Sequence, residues 1–339
     1  MLLGIIVAAV AMIASCDVPL IGDAVATPHR EKLLAKQPTL DSNTSCKACH
    51  AEAFAAWRTS RHAKAGRNPA FNFEYDSHPG SWCMGCHAPR SKRDLKLATA
   101  RRQGVDCITC HVKDGQLHSR TRAASSPHKT ATDASFGGPS MCAGCHQFNF
   151  PVLSAKGDLV RYTDQPMQNT FGEYRASGTT AECIDCHMAK GSHRFEGAYV
   201  PSKVQEALNV SLCGDATAYQ VSIANALSAH NVPSGGVNRA IVLTLYRTDN
   251  PQGRQQYRME RLYDGPVGER RKRKDTTLVP GGRATWTIPR TLLGLGTPKE
   301  LVLAGDFYFG TDPNPKAPKA RVEIFETAFD AASLKDCDE

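Results

Sequence analysis

The sequence predicts two unlike parts: a mostly irregular and α-helical segment folded round covalently held groups, then an all-β sandwich. Three observations predict this. The pentapeptide C-x-x-C-H occurs five times between residues 46 and 187. Little chain separates one copy from the next. Beyond about residue 200 the motif stops and a period-2 alternation of apolar side chains takes over.

The five copies are "CKACH" (46–50), "CMGCH" (83–87), "CITCH" (107–111), "CAGCH" (142–146) and "CIDCH" (183–187). Each is the attachment signature of a c-type haem. The two thiols add across the haem vinyl groups, and the adjacent imidazole ligates the iron from one face. Independent placement of the 13 cysteines and 12 histidines in 339 residues predicts roughly 0.02 copies. Paired CxxC elements also hold Zn²⁺, but zinc does not demand histidine after every second cysteine. Five covalently attached haems c are therefore expected on Cys46/Cys49, Cys83/Cys86, Cys107/Cys110, Cys142/Cys145 and Cys183/Cys186, with His50, His87, His111, His146 and His187 as proximal ligands.

The proximal histidines are 37, 24, 35 and 41 residues apart. So little chain per haem cannot build an ordinary core. Residues 45–199 are expected as a pentahaem domain, mostly irregular and α, of short helices and loops wrapped round stacked haems.

Seven histidines remain: His29, His62, His78, His118, His128, His193 and His230. His62, His118, His128, His193 and His230 are expected to close the far faces of the irons. His78 is the reserve, and His29 belongs to a tether from which it could reach a neighbouring molecule. "HAEAFAAWRTSRHAKA" reads as one helix from His50, and twelve helical residues rise about 18 Å. His62 should therefore reach a haem other than that of His50. His118 and His193 follow His111 and His187 closely and should likewise cross to other haems, while His128 precedes the fourth motif. His230 comes from "AHNVPSGG", where Pro233, Gly235 and Gly236 shape a turn. Histidine on both faces leaves no room for substrate, which favours electron transfer over catalysis.

From residue 200 to 335 the expected sandwich shows as alternating runs. "RAIVLTLYR" (239–247) puts Ile241, Leu243 and Leu245 on one face, and "ATWTI" (284–288) groups Ala284, Trp286 and Ile288. "ELVLAGDFYF" and "RVEIFE" read the same way, with "NPQG", "VPGG" and "DPNPKAP" as the breaks between strands. Cys213 and Cys337 either form a disulfide that staples this domain or stay as two buried thiols.

The first 16 residues, "MLLGIIVAAVAMIASC", carry an apolar run too short to span a membrane. They read as an export signal ending in a lipobox, although no Lys or Arg precedes the run. Cys16 would be lipidated, and 17–44 would be a tether with one short helix, "REKLLAKQ". An exported, membrane-anchored lipoprotein facing the periplasm or cell surface is the expectation. The net charge of +8 falls to about +3 once five oxidised haems with their propionates are counted, and to about −2 when all are reduced. The basic pI is thus no argument for nucleic acid. "ERRKRKD" (269–275) is a local basic run: a solvated hairpin tip, or a docking patch for an acidic redox partner or anionic lipid.

The stretches "CKACHAEAFAAWRTSRHAKA", "GVDCITCHVKDGQLHS", "MCAGCHQFNFP", "QNTFGEYRASGTTAECIDCHM" and "AHNVPSGGVNRAIVLTLYR" resemble multihaem cytochromes c of the c-five-five-four and c-prime type, over roughly 45–247. The resemblance implies distal ligation by His62 and His230. The chain departs from the tetrahaem carrier of that group by its fifth motif and its β part. Some relatives are enzymes with an open haem acting on hydroxylamine or on nitrogen or sulfur oxyanions. No CxxCK occurs here, so a lysine-ligated site of the nitrite-reductase kind is not expected. Electron transfer between redox partner proteins is the leading expectation. A multihaem oxidoreductase, or a self-assembling subunit of a haem filament or outer-membrane conduit, stands as the alternative.

Overall fold

The computed structural model describes residues 43–77, 79–92, 95–121, 126, 128–310 and 321–337. The expected export signal, Cys16, the expected tether with its short helix and His29, and His78 lie outside the described residues. Among the described residues no helix is long and apolar enough to cross a membrane.

The helices of the first part are short: α1 (Asn43–Lys47), α2 (Ala51–Thr59), α3 (Pro69–Ser77), α4 (Met84–His87), α5 (Leu97–Gln103), α6 (Cys107–His111), α7 (Pro139–His146), α8 (Thr170–Ala176) and α9 (Cys183–His187). None reaches the roughly 12–15 residues at which an isolated helix becomes stable in water. Packing must hold them. The protein's own apolar cluster here is small: Met84, Ala88 and Ala100, with Phe71, Tyr75 and Leu95 against it.

The motif spacing has a local cause. In α6, α7 and α9 the whole C-x-x-C-H lies inside the helix. Residues i and i+3 of a helix share a face, and i+4 follows on the same side. One turn therefore presents both sulfurs and the imidazole together. Caps stop and start these turns. Asp106 accepts from Thr109 N at 2.9 Å, Glu182 and Asp185 form a reciprocal capping box on α9, and Pro139 opens α7. The other two motifs are split. In the first, α1 ends at Lys47 and a turn follows, with Cys49 N donating to Cys46 O at 3.2 Å. In the second, Cys83 closes a 3-10 turn and Cys86 lies in α4.

The helix expected to run on to His62 ends at Thr59. Ser60 is extended and its Oγ accepts from Ala63 N at 3.2 Å, starting a separate turn. Thr59 and Ser60 compete for backbone groups in this way, which shortens the helix. Strands also appear where only helices and loops were expected. β1 (Val112–Lys113), β2 (Gln116–Ser119) and β3 (Thr130–Thr132) form a small sheet, and β4 (Gln147–Leu153) pairs with β5 (Leu159–Asn169). Pro151 and three register shifts break the alternation of that hairpin, so the period-2 signal is weak.

After α10 (Pro201–Ala207) two antiparallel sheets share one core. The first has the order β11 (Arg283–Pro289), β7 (Ala218–Asn225), β6 (Leu208–Gly214). The second has the order β10 (Arg271–Asp275), β9 (Asn250–Asp264), β8 (Ala240–Arg247), β12 (Glu300–Tyr308), β13 (Arg321–Asp330). Ile241, Leu243 and Leu245 of the central β8 are sealed against Val221 and Ile223 of β7, with Ile288 and Leu303. Cys213 of β6 is joined to Cys337 by a disulfide, with a Cα–Cα distance of 5.1 Å. The basic run 269–275 begins in the loop of the β9–β10 hairpin and continues as the exposed edge strand β10, where charge discourages pairing with other chains.

Candidate metal centres

The first observation at the site is a repeated distance between imidazoles. His146 faces His62 with ring centroids 6.3 Å apart, His111 faces His193 at 6.2 Å, His187 faces His230 at 6.1 Å, and His50 faces His128 at 6.2 Å. Two metal–nitrogen bonds of about 2 Å, plus roughly 1 Å from each nitrogen to its ring centre, separate trans imidazoles by about 6 Å. The residues present thus fit an iron held between the two rings of each pair. In every pair one partner belongs to a C-x-x-C-H motif and the other comes from elsewhere in the chain.

Most of these rings are held at Nδ1, but His62 Nδ1 is buried with no hydrogen-bond partner. His87 Nδ1 lies 3.0 Å from Ala65 O, His111 Nδ1 3.1 Å from His118 O, and His187 Nδ1 2.5 Å from Glu196 O. The Gln168 amide is 2.7 Å from His146 Nδ1. Among the distal rings, His193 Nδ1 lies 3.1 Å from Gly191 O, His230 Nδ1 2.8 Å from Asn231 O, and His128 Nδ1 3.0 Å from Thr130 Oγ1. Where the Nδ1 partner is a carbonyl oxygen, as at His87, His111, His187, His193 and His230, Nδ1–H donates and that tautomer leaves Nε2 free to ligate. Burial also keeps the rings neutral, the form that binds metal. It pushes His62 down to about 3 and His146 to about 4, and lowers His87, His111, His193 and His230.

The sulfurs order the motifs in space. Cys107 hydrogen-bonds Cys46, which holds the Cys46 thiol down to about 7 and raises that of Cys107. Cys142 and Cys183 make the corresponding contact, raising the first and lowering the second. Cys110 is pushed up to about 12 by burial, then by Asp106 and Cys145. The first and third motifs therefore touch, as do the fourth and fifth, and Cys145 is near enough to Cys110 for its charge to disfavour the Cys110 thiolate. Arg90 and Asp106 form an ion pair at 3.0 Å, with side chains 2% and 0% exposed, which ties the second motif's flank to the cap of α6.

Cys49 and Cys186 are exposed, and the other eight attachment cysteines are half-buried. The physical reason is local. Cys49 lies in the turn beyond α1, outside the helix that carries Cys46. Cys186 lies one turn past Cys183, which is the sulfur that α9 packs on Cys142. Cys86 lies in a four-residue helix of which only Met84 is buried. Enclosure is not what qualifies these sulfurs, since a thioether forms at the rim of a porphyrin. Cys49, Cys86 and Cys186 each stand directly before the histidine of their motif.

Two expected ligands behave differently. His118 faces no proximal ring among the described residues. The tight turn between β1 and β2 brings its backbone back to α6, so that its carbonyl, not its imidazole, serves His111. Its own Nδ1 is buried without a hydrogen-bond partner. His87 has Phe71 stacked on its ring at 3.8 Å, and no imidazole among the described residues stands opposite it. Phe71 lies in "PAFNFEYDS", a weakly patterned helix that offers no sequence signal.

Arg239 and Arg61 carry no sequence signal either. Both guanidiniums lie over the Phe309 ring, at 5.1 and 5.2 Å. Burial, then Arg61, lowers Arg239 to about 10, and the Arg239 charge in turn disfavours protonation of His87 and His146. Such cations suit the propionates of haems held by those residues. Among the described residues no cluster of three or more His, Cys, Asp or Glu could hold a bare metal ion.

Residues 45–112, which hold the first three motifs, match the family model described as cytochrome c554 and c-prime. No curated protein matches the sequence. The fold is similar to the crystal structure of a penta-heme cytochrome c552 from Thermochromatium tepidum, with a TM-score of 0.66 and 19% identity, over 89% of this chain and 99% of that one.

Proposed function

We propose that the chain is a multihaem cytochrome of the c type that carries electrons between redox partners through five haems c, four of them closed on both faces by histidine; the match of residues 45–112 to the cytochrome c554 and c-prime family model supports this reading. The observation that carries this reading is the set of four imidazole pairs at 6.1–6.3 Å. Haem iron supplies the one-electron couple, with a potential set by its axial ligands, burial and hydrogen bonds. His50/His128, His111/His193, His146/His62 and His187/His230 would hold each iron from two sides and keep solvent and substrate off it. The Nδ1 contacts of His111, His128, His146, His187, His193 and His230 would keep those rings in place, so that little moves when the charge changes. The touching pairs Cys46/Cys107 and Cys142/Cys183 bring the first attachment site against the third and the fourth against the fifth.

A second reading rests on His87. With no imidazole opposite it among the described residues, its haem would keep one open position, as an oxidoreductase acting on hydroxylamine or a nitrogen or sulfur oxyanion requires. Electron paramagnetic resonance of the oxidised protein separates the two. We expect four low-spin irons and one high-spin iron. An unchanged high-spin signal on adding nitrite or hydroxylamine supports the carrier, whereas binding with turnover promotes the enzyme. Export, anchoring through a lipidated Cys16, redox partner proteins, and assembly into a filament or conduit complete the proposal. Release of a Cys16→Ser variant from membranes tests the anchor.

A further inference from the structure

We propose that Glu173 is the positioning residue for His230, tying the ligand turn of the sandwich to the haem-bearing part so that its imidazole stays opposite His187; this rests on reading that pair as trans ligands. Glu173 sits in α8 and is 6% exposed. Its carboxylate accepts from Asn231 N at 3.2 Å, from Ser234 Oγ at 2.6 Å and from the Arg261 guanidinium of β9. Asn231 directly follows His230, and Ser234 lies further round the turn. One carboxylate therefore holds two points of the loop that carries the ligand. Thr170 Oγ1, at the start of α8, lies 2.9 Å from Ser234 Oγ and reinforces the contact.

The sandwich builds the turn independently. Asn225 Nδ2 donates to His230 O at 2.9 Å, and Asn231 Nδ2 donates to Thr277 Oγ1 at 3.0 Å. Val232 and Leu278 exchange backbone hydrogen bonds at 2.9 Å. None of these bonds involves the haem-bearing part. What Glu173 decides is where the finished turn stands relative to α9. Ligand geometry tolerates displacements of only about 0.5 Å, and the two rings are now within 4° of parallel. The rival role for a buried pair of this kind is glue between two parts, and a weak one, since desolvation offsets much of its attraction. The two roles differ in their signature at the iron.

The test uses the mature holoprotein in four forms: wild type, His230→Ala, Glu173→Ala and Glu173→Gln. Electron paramagnetic resonance of the oxidised state counts high-spin irons, and carbon monoxide titration of the reduced state counts open positions. His230→Ala should show one more high-spin iron than wild type. Glu173→Ala should show the same added signal and added carbon monoxide binding in a large fraction of molecules, at least several-fold above wild type, with the other irons unchanged. Glu173→Gln, which keeps an acceptor for Ser234, should show a smaller fraction. A Glu173→Ala protein with wild-type spin states and only a lowered unfolding midpoint overturns the proposal while leaving the ligand pair intact. A His230→Ala protein with wild-type spin states overturns the pair itself. If Glu173→Ala does not mature, Ser234→Ala and Glu173→Gln decide: wild-type spin states and potentials in both overturn the proposal.

Discussion

His62 and His146 stand ring to ring at 6.3 Å, although one lies in a turn after α2 and the other ends α7. The motif nearest His62 in sequence is that of His50, yet the ring crosses to a different centre. His62→Ala should therefore convert one low-spin iron to high-spin and leave the His50/His128 centre untouched. Electron paramagnetic resonance of this variant beside His128→Ala checks the assignment. Two different low-spin signals must vanish, and loss of the same signal in both contradicts it.

His118→Ala should leave the number of low-spin irons unchanged, because His118 serves His111 through its carbonyl. Resonance Raman spin markers of the oxidised protein provide the measurement. A newly five-coordinate iron would make His118 an axial ligand after all.

Asp106→Asn or Arg90→Met should destabilise the protein by about 3–5 kcal/mol, the usual cost of leaving one member of a buried ion pair uncompensated. Both side chains are sealed, so solvent screening gives little relief. Asp106 also caps α6, and the damage should extend to the centre at His111. Denaturant midpoints followed at the absorbance of that centre measure it.

Acid should weaken the fold. Burial holds His62 near 3 and His146 near 4, against about 6.5 in an unfolded chain. Between those values the unfolded chain binds more protons than the folded one, so stability falls as pH drops from about 6.5 towards 3. Denaturant midpoints at pH 7 and 4.5 should differ in that direction. Equal midpoints would mean that these rings do not stay neutral in the fold.

Removing the disulfide with Cys213→Ser and Cys337→Ser together should cost about 4–5 kcal/mol, because the bond closes a 124-residue separation. The loss should appear in unfolding of the sandwich. Visible spectra of the haems should keep their low-spin form until the His230 turn is lost.

Much of the architecture can be read from the chain because its signals are local. The alternation in "RAIVLTLYR" becomes β8, with Ile241, Leu243 and Leu245 at the centre of the core. "ATWTI", "ELVLAGDFYF" and "RVEIFE" become β11, β12 and β13. The β4–β5 hairpin is hidden because Pro151 and its register shifts spoil the period-2 pattern. The helix after His50 is shorter than its pattern suggests, because Thr59 and Ser60 end it through side-chain bonds that apolar periodicity does not register.

Sequence alone determined the candidate attachment residues. Two sulfurs and a proximal imidazole fit on a single helical turn, so pentapeptide spacing carries that chemistry entire. How far each sulfur is enclosed was a matter of packing, which leaves Cys49 and Cys186 exposed while Cys46 and Cys183 meet other motifs. Only the tertiary structure decided which imidazole meets which: His62 with His146, His193 with His111, His128 with His50, His230 with His187, and none among the described residues with His87. It also decided that the Glu173 carboxylate meets Arg261, Asn231 and Ser234. These contacts join residues far apart in the chain, and their partners are set by how the caps, the β4–β5 hairpin and the sandwich pack together. A histidine's own neighbours in sequence do not record which distant ring it will face.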